Sequence, residues 1–222
     1  MHAAPITLFA ELRETGPVML VGGTFDPPHL AHTMLANSAR DAAALGAQMY
    51  FVPAARSPHK DAGPQASNEQ RTEMLNLAIT GFNETHVWTD EIDRASIAEP
   101  SYWVTTLERA RSLLGTERSL YFLMGADQAT SFDKWREPDR ILELARVIVI
   151  NRGDVRTQEE LASQLVGTEF ERTLVNAWCD VPSMEISATD IRQELTAKNE
   201  SDLTGVLHSK IASYIKEHGL YQ

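Results

Sequence analysis

The chain has 222 residues, 43% hydrophobic and 23% charged, with 31 acidic against 20 basic side chains and a net charge of −11. That composition suits a globular α/β protein, and its acidic balance argues against a general nucleic-acid surface. No stretch approaches the roughly 18 apolar residues of a membrane span, and Met1 to Pro17 lacks the basic start and compact apolar stretch of a signal peptide.

Apolar runs alternate with helix-period segments in a βαβα rhythm. This predicts a Rossmann-like, doubly wound and mostly parallel sheet with a helical C-terminal part. Residues 1–222 read as a single domain, with 1–17 as an N-terminal extension whose Ile6, Leu8, Phe9 and Leu12 can dock as an amphipathic turn. Strands are expected at 18–22, 48–53, 84–89, 119–124 and 146–150, with a short one at 183–186. Helices are expected at 29–45, 68–80, 101–114, 137–144, 157–165, 188–197 and 205–218. Ser67 with Gln70 reads as a capping box, Ser101 as the cap of the third helix, and Gly219 as the stop of the last. The polar, proline- and glycine-containing stretch 54–67 reads as a mobile loop over the active site. Cys179, the lone cysteine, excludes an intrachain disulfide, fits a reducing cytoplasm, and reads as a structural thiol. Trp88, Trp178, His86, His208 and His218 read as structural or surface residues.

The most informative segment follows the first strand: Gly22-Gly23-Thr24-Phe25-Asp26-Pro27-Pro28-His29-Leu30-Ala31-His32. Two glycines permit close backbone approach to a ligand. Asp26 can cap the helix that follows, and Pro27-Pro28 suit a first turn. Free N–H groups and the positive dipole end of that helix favour an anion. His29 and His32, three residues apart, project from one face. These features make the turn a candidate catalytic centre for phosphate chemistry. The segment lacks G-x-G-x-x-G and G-x-x-x-x-G-K-[ST], so neither a hydride-carrying dinucleotide nor a phosphate-loop ATPase is indicated. H-x-x-H without a third ligand is weak evidence for zinc.

The same segment resembles the G-x-F-D-P-x-H-x-G-H motif of the nucleotidyltransferase superfamily. Ile186-Ser187-Ala188-Thr189-Asp190-Ile191-Arg192 is similar to its I-S-S-T-x-I-R motif. Ser57-Pro58-His59-Lys60, Pro100-Ser101-Tyr102 with Thr106-Leu107, and Gly125-Ala126-Asp127 with Trp135 resemble three further segments of the bacterial nicotinate-nucleotide adenylyltransferases. Gly219-Leu220-Tyr221 is a similar ending. Two departures stand out: Ala31 occupies the position of the glycine between the histidines, adding a methyl near the phosphates, and Trp103 replaces the threonine after P-S-Y.

The resemblance implies transfer of the adenylyl group of ATP to nicotinate mononucleotide, giving nicotinate adenine dinucleotide and pyrophosphate. Mg²⁺ would be carried on the triphosphate. His32 would stabilise charge at the α-phosphate, His29 would assist the departing pyrophosphate, and Arg192 would fork onto the β- or γ-phosphate. Gly22, Gly23, Thr24, Phe25, Lys60, Asp127, Arg152, Ser187 and Thr189 would bind ATP. Trp135 would stack on the pyridine ring, with Ser101, Tyr102 and Trp103 beside it. The expected partners are these small molecules, with no nucleic acid and no membrane, in the cytoplasm; a homo-oligomer is compatible with the sequence. The alternatives are a relative preferring nicotinamide mononucleotide or phosphopantetheine, and a non-catalytic nucleotide-binding module.

Overall fold

In the computed structural model, which describes residues 5–56, 63–95, 100–197 and 203–222, strand β1 (Val18–Gly23) lies at the centre of a sheet. Its first four residues are all buried, as expected of a strand covered on both faces. The order of the six strands is β3-β2-β1-β4-β5-β6, and every pairing is parallel. The remaining strands are β2 (Gln48–Pro53), β3 (Thr85–Val87), β4 (Leu120–Gly125), β5 (Arg146–Ile150) and β6 (Trp178–Cys179). Between them run α1 (Leu30–Ala43), α2 (Asn68–Ala78), α3 (Asp90–Asp93), α4 (Trp103–Leu114), α5 (Ala126–Ala129), α6 (Pro138–Leu144), α7 (Gln158–Leu165) and α8 (Glu171–Asn176). Helices α9 (Ala188–Thr196) and α10 (Ser209–Glu217) follow β6.

The period-2 alternation of strand side chains divides the core into two layers. Met19, Val21, Met49, Phe51, Leu123 and Ile148 face one side, against Leu35 and Ala39 of α1, Met74 and Leu75 of α2, and Ile211 and Ile215 of α10. Val18, Leu20, Tyr50, Val52, Leu120, Phe122 and Met124 face the other, against Leu107 and Ala110 of α4, Ile141 of α6 and Leu161 of α7. Phe9 of the N-terminal segment closes this second layer: its ring meets Tyr50 at 4.5 Å and Trp88 at 4.3 Å. The Tyr50 hydroxyl donates to the Ala10 carbonyl and Trp88 Nε1 to the Thr7 carbonyl. Ile6 and Leu12 pack against the same layer, whereas Leu8 points to solvent, 74% exposed.

The direction of winding reverses between β1 and β4, and open parallel sheets bind ligands at the carboxyl ends of the strands flanking that point. The fold thus directs attention to the segments after β1 and β4.

Several local expectations need correction. Helix α1 begins one residue later than expected, and Asp26 does not cap it; His29 is the N-cap. Pro27 and Pro28 therefore precede the helix. Ser101 is not a cap either: Tyr102 holds that position in α4 without a side-chain bond, and the Ser101 N–H donates to the Arg56 carbonyl. The last strand is Trp178–Cys179, paired with Val149 and Ile150. Residues 183–186 form no ladder; all four line a cavity, and Met184 and Ile186 also pack against the core. The short helices α3, α5 and α8 had no expected counterpart. Ser67 and Gln70 do form a capping box, each side chain accepting from the other's backbone N–H. At the end of α10, Gly219 (φ +59) donates to the Lys216 carbonyl and Leu220 to that of Ile215, a Schellman closure.

Candidate active site

The cavity at the switch point has a volume of about 950 Å³. It is lined by every candidate site residue named from the sequence that falls among the described residues. Lys60 and the rest of Ser57-Pro58-His59-Lys60 lie outside the described residues.

The segment after β1 forms one wall. Phe25 turns the chain with a left-handed backbone (φ 51) and is 1% exposed, its ring edge-on to His32 at 5.0 Å. A non-glycine residue in that region costs roughly 1–2 kcal/mol, which the surrounding packing must offset. The His29 and His32 rings stack at 3.6 Å with an interplanar angle of 27°. The His29 N–H donates to His32 Nδ1 at 3.2 Å. A neutral His32 accepting that bond carries its proton on Nε2, which leaves that nitrogen as a donor.

His29 is 5% exposed, and its Nδ1 has no hydrogen-bond partner among the described residues. Burial, aided by the charge of Arg152, depresses its pKa from 6.5 to about 3. His29 is therefore neutral at pH 7, and a polyanion arriving beside it would favour its charged form. Ala31 is buried in the core and is not among the residues that line the cavity.

Gly22 also makes room for a neighbouring side chain. A Cβ built there would stand 1.9 Å from Trp103 Cζ2. The protein's own indole thus packs closely against this glycine. Trp103 in turn lies against Phe122, ring centres 4.1 Å apart, and Trp135 meets Phe122 at 6.1 Å and Phe132 at 5.5 Å. Trp103, Phe122 and Trp135 form an aromatic end to the cavity, with Phe132 behind them. The Arg136 guanidinium sits 4.8 Å over the Tyr102 ring at the same end. Glu91, buried and accepting a hydrogen bond from the Thr106 hydroxyl, is pushed up in pKa by its burial and closes that side.

Helix α9 forms the opposite wall. The Ser187 hydroxyl oxygen caps it, accepting from the Thr189 N–H at 3.1 Å, so only its O–H remains to offer a ligand. Arg192 donates through Nη1 to the Asp26 carbonyl at 2.7 Å, which anchors the second motif directly to the first. Its Nη2 reaches the Thr189 hydroxyl at 3.4 Å. After β4, Asp127 faces Arg152 at 4.0 Å; both are half-exposed, a pairing worth no more than about 1 kcal/mol. Gly125 leaves room for this pair: a Cβ there would meet Asp127 Oδ1 at 2.4 Å and Arg152 Cδ at 2.5 Å, and those side chains would have to shift.

Among the described residues the lining carries six basic side chains (Arg56, Lys134, Arg136, Arg152, Arg156, Arg192) against six acidic ones. In a chain with 20 basic and 31 acidic residues, the cavity is thus less negative than the surface around it. The sequence reading missed Arg56, Lys134, Arg136 and Arg156. It also missed Arg71, which is fully buried and donates to the Thr24 carbonyl and to Asn68 Oδ1. No short motif announces Arg71; its role exists only in the fold.

A doubly wound sheet with a helix start, two imidazoles and a guanidinium at its switch point defines a nucleotide-handling α/β protein. The model of the cytidylyltransferase-like family matches residues 20–194. A protein of Rhodopirellula baltica named "Probable nicotinate-nucleotide adenylyltransferase" is 34% identical over 177 residues, 79% of this chain and 80% of that one. One of the same name from Moorella thermoacetica is 34% identical over 209 residues, 93% and 92% of the two chains. A solved structure described as Plasmodium falciparum nicotinic acid mononucleotide adenylyltransferase complexed with NaAD superposes with a TM-score of 0.69 at 19% identity, covering 93% of this chain and 97% of that one. The chain belongs to the cytidylyltransferase-like family and, within it, to the nicotinate-nucleotide adenylyltransferases.

Proposed function

We propose that the protein transfers the adenylyl group of ATP to nicotinate mononucleotide, releasing pyrophosphate and forming nicotinate adenine dinucleotide. The observation that carries this reading is the shared cavity. The His29/His32 pair after β1 and Ser187, Thr189 and Arg192 of α9 line one space whose other end is aromatic. A triphosphate suits the first end and a flat heterocycle the second.

The chemistry is an in-line attack of the mononucleotide phosphate on the α-phosphorus. The bond to the bridging oxygen breaks, and its electron pair leaves with pyrophosphate. No protein nucleophile is needed; holding both reactants in line supplies roughly 7–11 kcal/mol of barrier reduction. In this reading His32 Nε2–H donates to the α-phosphate as charge builds there. His29, neutral before the nucleotide arrives, takes up a proton from solvent as the polyanion binds and then stands charged beside the departing pyrophosphate. Arg192, Ser187, Thr189 and Lys60 hold the β- and γ-phosphates, with Gly22, Gly23, Thr24 and Phe25 forming the floor. Asp127 and Arg152 take the adenosine side. Trp135, Ser101, Tyr102 and Trp103 receive the acceptor ring.

Among the described residues no three His, Cys, Asp or Glu side chains converge to hold a metal ion. In this reading Mg²⁺ would be carried on the triphosphate, where it would offset the charge of the phosphates. No helix among the described residues is long and apolar enough to cross a membrane, and the buried, unpaired Cys179 suits a reducing cytoplasm.

The test is turnover of purified protein with ATP and Mg²⁺, offered nicotinate mononucleotide or its amide, with pyrophosphate and dinucleotide both measured. Faster turnover of the acid is expected. No turnover of either acceptor sinks the reading, and a tenfold preference for the amide, about 1.4 kcal/mol, reassigns the acceptor.

A further inference from the structure

We propose that Tyr221 is a positioning residue of the nucleotide site, a brace that fixes helix α9 and its Arg192 relative to the loop bearing His29 and His32. The inference rests on the functional reading above insofar as Arg192 and the histidines act on one triphosphate.

Asp26 is the junction on which the brace acts. It is 4% exposed, and its carboxylate accepts three hydrogen bonds: from the Gln65 N–H at 2.8 Å, the Ala66 N–H at 3.1 Å and the Tyr221 hydroxyl at 2.7 Å. Its carbonyl accepts from Arg192 Nη1 at 2.7 Å. One residue thus binds the loop before α2, the chain beyond α10 and the guanidinium of α9.

Tyr221 engages α9 a second time through its backbone. Its carbonyl accepts from the Thr196 hydroxyl at 3.1 Å, a bond that hydroxyl shares with the Arg192 carbonyl at 2.9 Å. The side chain of Tyr221 therefore grips the phosphate loop while its main chain grips the helix that carries Arg192. The Schellman closure at Gly219 turns the chain so that both grips are reached, and the ring is 7% exposed. Beneath them, the buried Arg71 holds the Thr24 carbonyl and supplies positive charge to Asp26.

Removing the Tyr221 hydroxyl leaves Asp26 its two backbone donors, so the loop keeps its shape while its tie to the C-terminal segment is lost. A buried hydroxyl serving only stability would lower the unfolding midpoint and leave nucleotide affinity alone. A brace acts through Arg192, so its effect disappears when Arg192 is absent.

The experiment is a double-mutant cycle of Tyr221→Phe and Arg192→Ala, read as the affinity for ATP with Mg²⁺ by calorimetry, with KM for both substrates alongside. Tyr221→Phe is expected to weaken ATP binding about tenfold and to leave KM for nicotinate mononucleotide within about twofold; in the Arg192→Ala background it adds less than about twofold. Thr196→Val, which cuts the other grip, follows the same pattern with a smaller effect and covers the case in which Tyr221→Phe does not fold. Equal losses with and without Arg192, or a lowered unfolding midpoint with ATP affinity unchanged, overturn the proposal. A wild-type protein that binds ATP but turns over neither acceptor instead overturns the functional reading, and the cycle remains interpretable.

Discussion

The buried state of His29 has a measurable thermodynamic consequence. Its pKa falls from 6.5 to about 3 through burial and the charge of Arg152. The unfolded chain binds a proton there near pH 6.5, and the native protein does not until about pH 3. Between those values the unfolded state holds more protons, so acidification destabilises the fold, and the contribution is complete only above about pH 6.5. Integrated for one site, the loss between pH 6 and pH 4 is about 2.5 kcal/mol. Other groups also titrate in this range, so the comparison is with His29→Asn, which lacks the proton site. Urea unfolding of both proteins at pH 7.5, 6, 5 and 4 gives the difference directly. The stability gap between wild type and variant should move by about 2.5 kcal/mol against the wild type from pH 6 to pH 4. Parallel pH profiles would show that His29 titrates normally and that its neutral, buried state has been misread.

Further expectations follow from the same geometry. His32→Ala should lower kcat at least about 100-fold, the scale of losing one donor to a charged transition state; near-normal turnover contradicts its role. Trp135→Ala should raise KM for the mononucleotide and leave that for ATP nearly unchanged, and the reverse pattern refutes stacking on the acceptor. Gly22→Ala should destabilise the protein by about 1–3 kcal/mol, because its methyl overlaps the Trp103 indole. The same substitution in a Trp103→Thr background should recover most of that loss in a thermal melt, and no recovery means the clash lies elsewhere.

What the sequence revealed depended on the range of the interactions involved. Buried strands such as Val18–Gly23 and Leu120–Gly125 are legible because continuous apolar runs report burial on both faces. The Ser67–Gln70 box is legible because both partners lie within one turn. Trp178–Cys179 is too short to leave a pattern; it is a strand only because Val149 and Ile150 lie beside it. Asp26 misleads for a related reason. By position it should cap α1, yet its carboxylate is claimed by Gln65, Ala66 and Tyr221, which are distant in sequence. The paired motifs identified both walls of the cavity. They could not show that Arg192 is hydrogen-bonded to Asp26, that Trp103 covers Gly22, or that Ala31 faces the core. Each of these is a tertiary contact that no local spacing encodes.

In the proposed reaction His32 and Arg192 meet one triphosphate. The most direct measurement is NMR of protein carrying ¹⁵N-labelled histidine and arginine, titrated with a non-hydrolysable ATP analogue and Mg²⁺. The His32 imidazole and the Arg192 Nε–H resonances are expected to shift together and to saturate at the same analogue concentration. If only one responds, or the two saturate at different concentrations, the walls of the cavity do not share a ligand.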